Sequence, residues 1–156
     1  MVSWLFQRRG TYSLAIIMME IAGNKRIDTK ILATDISTRI LEAARRGIYD
    51  EEKVKAVKRA AFEMNCTILL KGSVDVISDG NRTAINKTGN PYMTVGGTGD
   101  VLAGVCGALL AREVEPFTAA CAAAFIVGRA GDVAAKEKKE GLLPSDVIDA
   151  IPKVIR

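Results

Sequence analysis

The sequence predicts an α/β protein: a three-layer, mostly parallel, Rossmann-like sheet with helices on both faces and one β-hairpin. Three observations predict it. Strand-like runs alternate with helical stretches through the first seventy residues, the pattern of parallel strands joined by helical crossovers. The composition is 49% apolar with only 5% aromatic residues, which suits a compact α/β chain better than a β-sandwich or a disordered one. "VDVIS" and "RTAIN" flank "DGN", a strong hairpin signal. At 156 residues the chain fits one domain with its own core.

Taken in order, "VSWLF" (Val2–Phe6) is compatible with a first strand, and "YSLAIIMMEIAG" (Tyr12–Gly23) reads as a helix closed by Gly23. "TKILATDIS" (Thr29–Ser37) is a compact apolar run ending beside Asp35, as a buried parallel strand would be. Helices follow over Ser37–Gly47 and Asp50–Asn65, the second with acids in its first turn and Val54, Val57, Ala61 and Met64 at helical spacing. The next segment holds three short strands, "TILLKG", "VDVIS" and "RTAIN". Three helices complete the chain: Gly99–Arg112, Pro116–Lys136 and Pro144–Ile155, the last two opened by prolines suited to a first turn. "KEKKEG" (Lys136–Gly141) reads as a frayed helix end or a loop.

The totals exclude several kinds of chemistry. A net charge of +4 is too small and dispersed for DNA or RNA, so no nucleic-acid partner is expected. Arg8-Arg9 and Arg45-Arg46 read as solvated faces. Without histidine, Ser-His-Asp and Cys-His mechanisms and the commonest metal ligand are missing. Cys66, Cys106 and Cys121 are too widely spaced for a zinc motif, so no metal is expected, and buried free thiols of a reducing cytoplasm are the preferred reading. No segment reads as long and apolar enough to span a membrane, and "MVSWLFQRRG" puts its charges after its apolar residues, the reverse of a signal peptide.

The chemistry concentrates in "NPYMTVGGTGDVLAGVCGALL" (Asn90–Leu110). Gly96, Gly97 and Gly99 bracket Thr98 directly before an amphipathic helix. Glycines let the backbone approach a ligand, and successive N–H groups at a helix N-terminus suit a phosphate or another negative charge. Asp100 either accepts a proton from a hydroxyl or caps its own helix. The run is neither a P-loop nor a complete G-x-G-x-x-G. Lys71, at the end of a strand in "LLKG", is either a phosphate-neutralising group or a solvated cation.

Residues from about 53 to 156 resemble the C-terminal half of the ADP/ATP-dependent NAD(P)H-hydrate dehydratases of the ribokinase-like superfamily. The likeness runs through "LLKGSVDVISDGNRTAINKTGNPYMTVGGTGDVLAGVCGALLA" and closes on "GLLPSDVIDAIPKVI". It implies that Lys71 and Gly72 approach nucleotide phosphates, that Gly96, Gly97, Thr98 and Gly99 form an anion hole, and that Asp100 is the catalytic carboxylate. Members of that family use the nucleotide's phosphate to expel water from hydrated NADH or NADPH. The family's long upstream half, which carries much of its substrate pocket, has no counterpart in the first fifty residues.

Residues from about 11 to 57 instead resemble a chemotaxis receptor methyltransferase, through "ILATDIS" and "LEAARRGIYDEE". That likeness implies S-adenosylmethionine contact at Asp35, a strand-end acid suited to ribose hydroxyls; the helix N-cap is its other reading. "LFQRRGT" stands where the family has a glycine turn followed by acids, so the S-adenosylmethionine site is expected to be lost and Asp35 vestigial.

Two partial families meeting inside one helix suggest an engineered chimera, a methyltransferase-like half over residues 1 to about 55 and a ribokinase-like half from there to 156. The expected function is a scaffold without an intact active site or required cofactor, retaining weak ATP or ADP binding at Gly96–Asp100. The alternatives are a nucleotide-dependent NAD(P)H-hydrate dehydratase with Asp100 catalytic, and a binding module for adenosyl compounds or a protein. A cytoplasmic location follows from both parent families. An exposed hairpin over Val74–Ile85, or a sheet edge, offers a route to a homodimer.

Overall fold

A computed structural model describes residues 51–155. The strands expected at Val2–Phe6 and Thr29–Ser37, the helices at Tyr12–Gly23 and Ser37–Gly47, and Asp35 lie outside the described residues.

Helix α1 covers Glu51–Met64. Its sequence contains neither glycine nor proline, and Glu51 and Glu52 sit in the first turn, where negative charge offsets the positive end of the helix dipole. Val57 and Ala61 form its buried stripe, packed against Ile68 and Val76; Met64, expected on that stripe, is exposed. The helix stops where Asn65 turns to a φ of +48°, a conformation that asparagine tolerates better than most residues.

Three strands follow: β1 (Ile68–Leu70), β2 (Asp75–Ser78) and β3 (Thr83–Asn86). They pair in the order β1-β2-β3. Ile68 lies opposite Ser78 and Leu70 opposite Val76, while Asp75 lies opposite Asn86 and Ser78 opposite Thr83. Both pairings are antiparallel. The described sheet therefore differs from the parallel one expected: four-residue turns join its neighbours, and only antiparallel strands can be joined so tightly. At the β2–β3 turn the Asp79 carboxylate accepts the N–H groups of Asn81 and Arg82 at 2.9 and 2.6 Å, and this carboxyl is held below its usual range chiefly by the Arg82 N–H. The hairpin forms two of the three described strands.

Successive strand residues face opposite ways, and Val76 and Ile77 show the consequence. Val76 joins the cluster under α1, whereas Ile77 joins a larger cluster on the other side. Helices therefore lie against both faces of the described strands. The larger cluster belongs to α2 (Thr98–Ala111), α3 (Pro116–Lys138) and α4 (Pro144–Val154). Two 3-10 turns, Pro91–Met93 and Lys139–Gly141, lead into α2 and α4. Pro116 and Pro144 open their helices as expected.

Helix α3 is the centre of this core. Ala119, Ala120, Ala123, Ala124, Val127 and Ala130 make its buried face, and their small side chains let the sheet, α2 and α4 approach closely. One expectation is corrected here. The continuous helical run Pro116–Gly141 is long and apolar enough to cross a membrane by length and composition. Much of that apolar surface is instead spent on internal packing. The cysteines are free, but Cys66, Cys106 and Cys121 are only partly buried. Burial raises the thiol pKa of Cys106 and Cys121.

Candidate functional site

The glycine run closes into a turn that the sequence alone specifies well. Gly97 caps α2 with a φ of +100°, and a Cβ there would stand 2.8 Å from Pro144 Cγ. Only glycine fits both the backbone and the space. The Thr98 hydroxyl turns inward, 3.1 Å from the carbonyls of Met93 and Val95. It staples the loop, leaving only its backbone N–H for a ligand.

The N–H groups of Asp100 and Val101 both donate to Gly97 O, at 3.0 and 3.1 Å. Those of Gly96, Gly97, Thr98 and Gly99 have no acceptor among the described residues. Such orphan donors carry the positive end of the helix dipole. The chain adds a full charge to them. Lys71 leaves the end of β1, and its Nζ lies 2.8 Å from the point where a Cβ on Gly99 would stand. A side chain at Gly99 would displace the ammonium. An ammonium beside unaccepted N–H groups is electrostatically costly until an anion joins them, so these residues fit the phosphates of a nucleotide. Lys71, Gly97, Thr98 and Gly99, expected as a set, are brought together; exposed Gly96 has open space around it.

Asp100 occupies the first turn of α2 and is exposed. The helix has no side-chain cap, which corrects the reading of Asp100 as its own cap. Its carboxylate is hydrogen-bonded to nothing among the described residues, and is free to exchange a proton with a bound hydroxyl.

Gly72, expected at the phosphates, lies in the β1–β2 turn. Its N–H donates to Asp75 Oδ1 at 3.0 Å. A Cβ there would meet Lys53 Nζ at 2.9 Å and Val74 O at 3.1 Å, and Lys53 itself donates to Val74 O at 3.3 Å.

Several supporting residues escaped the sequence reading. Asp132 on α3 accepts from Gly89 N at 3.3 Å and from Asn90 Nδ2 at 3.1 Å, pinning the loop that enters the glycine run. Asn86 donates to Asp75 Oδ2 at 2.9 Å and to Ala124 O at 3.2 Å, and accepts from the Thr88 hydroxyl at 2.8 Å. The polar cluster "NKTGN" after an apolar strand was the available signal, and it reads simply as loop. Among the described residues, no group of three histidine, cysteine or acidic side chains is placed to hold a metal ion.

Positive potential carried by backbone and lysine, next to an exposed carboxylate, is an arrangement chemically suited to an anion. Comparison with known proteins supplies the family. The NAD(P)H-hydrate dehydratase family model matches residues 37–153, and the chain belongs to that family. It is 48% identical over 111 residues to the bifunctional NAD(P)H-hydrate repair enzyme Nnr of Hyperthermus butylicus, covering 70% of this chain and 21% of that protein. It is 47% identical over 106 residues to the ADP-dependent (S)-NAD(P)H-hydrate dehydratase of Cenarchaeum symbiosum, covering 68% and 37%. The chain thus spans only about a fifth to just over a third of these relatives' length. Among solved structures, hydroxyethylthiazole kinase of Pyrococcus horikoshii OT3 aligns with a TM-score of 0.66 at 27% identity, over 94% of this chain and 54% of that one.

These matches support the dehydratase half of the expectation and give no support to a chimera. The family match passes unbroken through the junction expected near residue 55 and begins at residue 37, inside the stretch read as methyltransferase-like. None of these matches supports a methyltransferase portion or a scaffold without turnover; they favour the dehydratase alternative. Asp35 falls outside the family match.

Proposed function

We propose that the chain carries the nucleotide-phosphate site and the proton-transfer carboxylate of an ADP- or ATP-dependent NAD(P)H-hydrate dehydratase. One observation carries this reading: Lys71 Nζ reaches the Gly99 backbone, beside four unaccepted N–H groups and next in sequence to Asp100, whose carboxylate has no hydrogen bond among the described residues. The family and the named activity of the Cenarchaeum relative support the same reading. A nucleotide bound there supplies phosphoryl chemistry that makes a hydroxyl a better leaving group. The residues of this chain have separate tasks. The N–H groups of Gly96–Gly99 and the Lys71 ammonium hold negative charge in place. Asp100 takes the proton of the substrate hydroxyl, being held within reach of the anion by its place in the first turn of α2.

The test is the return of NADH absorbance from hydrated NADH, with and without ADP or ATP. Asp100→Asn should slow the nucleotide-dependent rate by about 10²–10⁴-fold, while ADP titrates the variant as it does the parent chain. An Asp100→Asn variant as fast as the parent would overturn the assignment.

A further inference from the structure

We infer that Asp75 is a positioning residue that sets the Lys71 ammonium over the helix N-terminus by holding the Gly72 turn, an inference that rests on the dehydratase reading above. Asp75 begins β2 and is half-buried. Its two oxygens point to different parts of the site. Oδ1 accepts the Gly72 N–H at 3.0 Å, immediately after Lys71. Oδ2 accepts Asn86 Nδ2 at 2.9 Å.

Asn86 cannot turn away. It is buried, and its second amide proton goes to Ala124 O on α3 at 3.2 Å. Its oxygen accepts from both the N–H and the hydroxyl of Thr88, at 3.3 and 2.8 Å. This pattern fixes which end of the amide is the donor. The same Asn86–Thr88 segment leads into Gly89 and Asn90, which Asp132 holds against α3. Among the described residues, Asp75 is therefore the side chain whose hydrogen bonds join the lysine turn to the segment feeding the glycine run.

No ion pair explains the charge of Asp75 among the described residues; its partners are an amide and a backbone N–H. Charge-assisted acceptors make shorter and stronger hydrogen bonds than neutral ones. A carboxylate here holds the turn more firmly than a neutral side chain would. Lys53 completes the clamp by donating to Val74 O at 3.3 Å on the far side of the turn. With both ends held, the Lys71 backbone has one direction in which to launch its side chain, towards Gly99.

The experiment measures steady-state kinetics and direct ADP titration on the 156-residue chain, with thermal melting alongside. Asp75→Ala should raise the KM for ADP about tenfold or more, from loss of one charge-assisted hydrogen bond. The kcat at saturating ADP and the KM for hydrated NADH should stay within about twofold, the signature of lost uniform binding of one ligand. Asp75→Asn keeps an acceptor for Gly72 but turns an NH₂ towards Asn86 Nδ2, and should give a smaller rise in the same constant. It carries the test if the alanine variant does not fold. A lower melting temperature with an unchanged KM for ADP in Asp75→Asn would show a purely structural role and overturn the inference alone. A parent chain that neither titrates with ADP nor turns over would overturn the dehydratase reading and this inference with it.

Discussion

Gly97 and Gly96 are adjacent, yet substitution should separate them cleanly. Gly97 has a φ of +100° and would drive a Cβ to 2.8 Å from Pro144 Cγ. Pro144 opens α4 and cannot swing aside as a flexible chain would. Gly97→Ala should therefore cost about 1–3 kcal/mol, the range for a residue forced into a sparsely populated backbone region. It should also weaken ADP binding, because relief requires the α2 N-terminus to move. Gly96 has nothing within 4 Å of its added Cβ and no positive φ, so Gly96→Ala should change stability by less than about 0.5 kcal/mol. Urea midpoints of the two variants check this directly. Equal losses would mean that glycine is required throughout the run for a reason other than the Gly97 backbone and its contact with Pro144.

At the scale of elements, the start of α3 is held by an unusual cap. Glu115 accepts the Phe117 and Thr118 N–H groups at 3.1 and 3.0 Å and the Thr118 hydroxyl at 2.8 Å. Arg82, from the β2–β3 turn, bonds the same carboxylate at 2.7 Å and stacks on Phe117 at 4.4 Å. The Thr118 hydroxyl first, with the Thr118 N–H, Arg82 and the Phe117 N–H behind it, lowers the Glu115 pKa from 4.5 to about 2. Because the folded value is depressed, the stabilisation is fully present above pH 4.5 and is lost as pH falls towards 2. Glu115→Ala should cost about 0.5–1 kcal/mol near neutral pH, the low end for an N-cap because the side chain is half exposed. The difference between variant and parent should vanish near pH 2. Denaturant titrations at pH 7 and at the acid end measure it, and a difference that persists in acid would assign the effect to packing rather than to the charged cap.

For the molecule as a whole, much of the described helical framework was legible because each helix announces its ends locally. Acids open α1, Pro116 and Pro144 open α3 and α4, and the observed bounds fall within two residues of those expected. The hairpin turn was equally local. Strand direction was not, because runs as short as "TILLKG" and "VDVIS" carry no record of which way a neighbour runs. The glycines and Asp100 were legible as a motif, whereas the contacts supporting them span the chain: Asn86 to Ala124 and Gly89 to Asp132 are 38 and 43 residues apart. Those contacts all meet on α3, whose fully buried Ala123 lies one residue before the carbonyl that Asn86 binds. The whole-molecule prediction follows from that position. Ala123→Leu adds volume where the core has none to give, and should cost about 1–3 kcal/mol by overpacking. Shifting α3 also shifts the anchors of Asn86 and Asp132, so ADP should bind more weakly in a chain that still folds. Phe125→Ala, at a side chain 52% exposed, should change stability by only about 0.5 kcal/mol or less. If Ala123→Leu loses stability but titrates with ADP unchanged, α3 is core alone; if both fall together, the helix that fills the core also aligns the site.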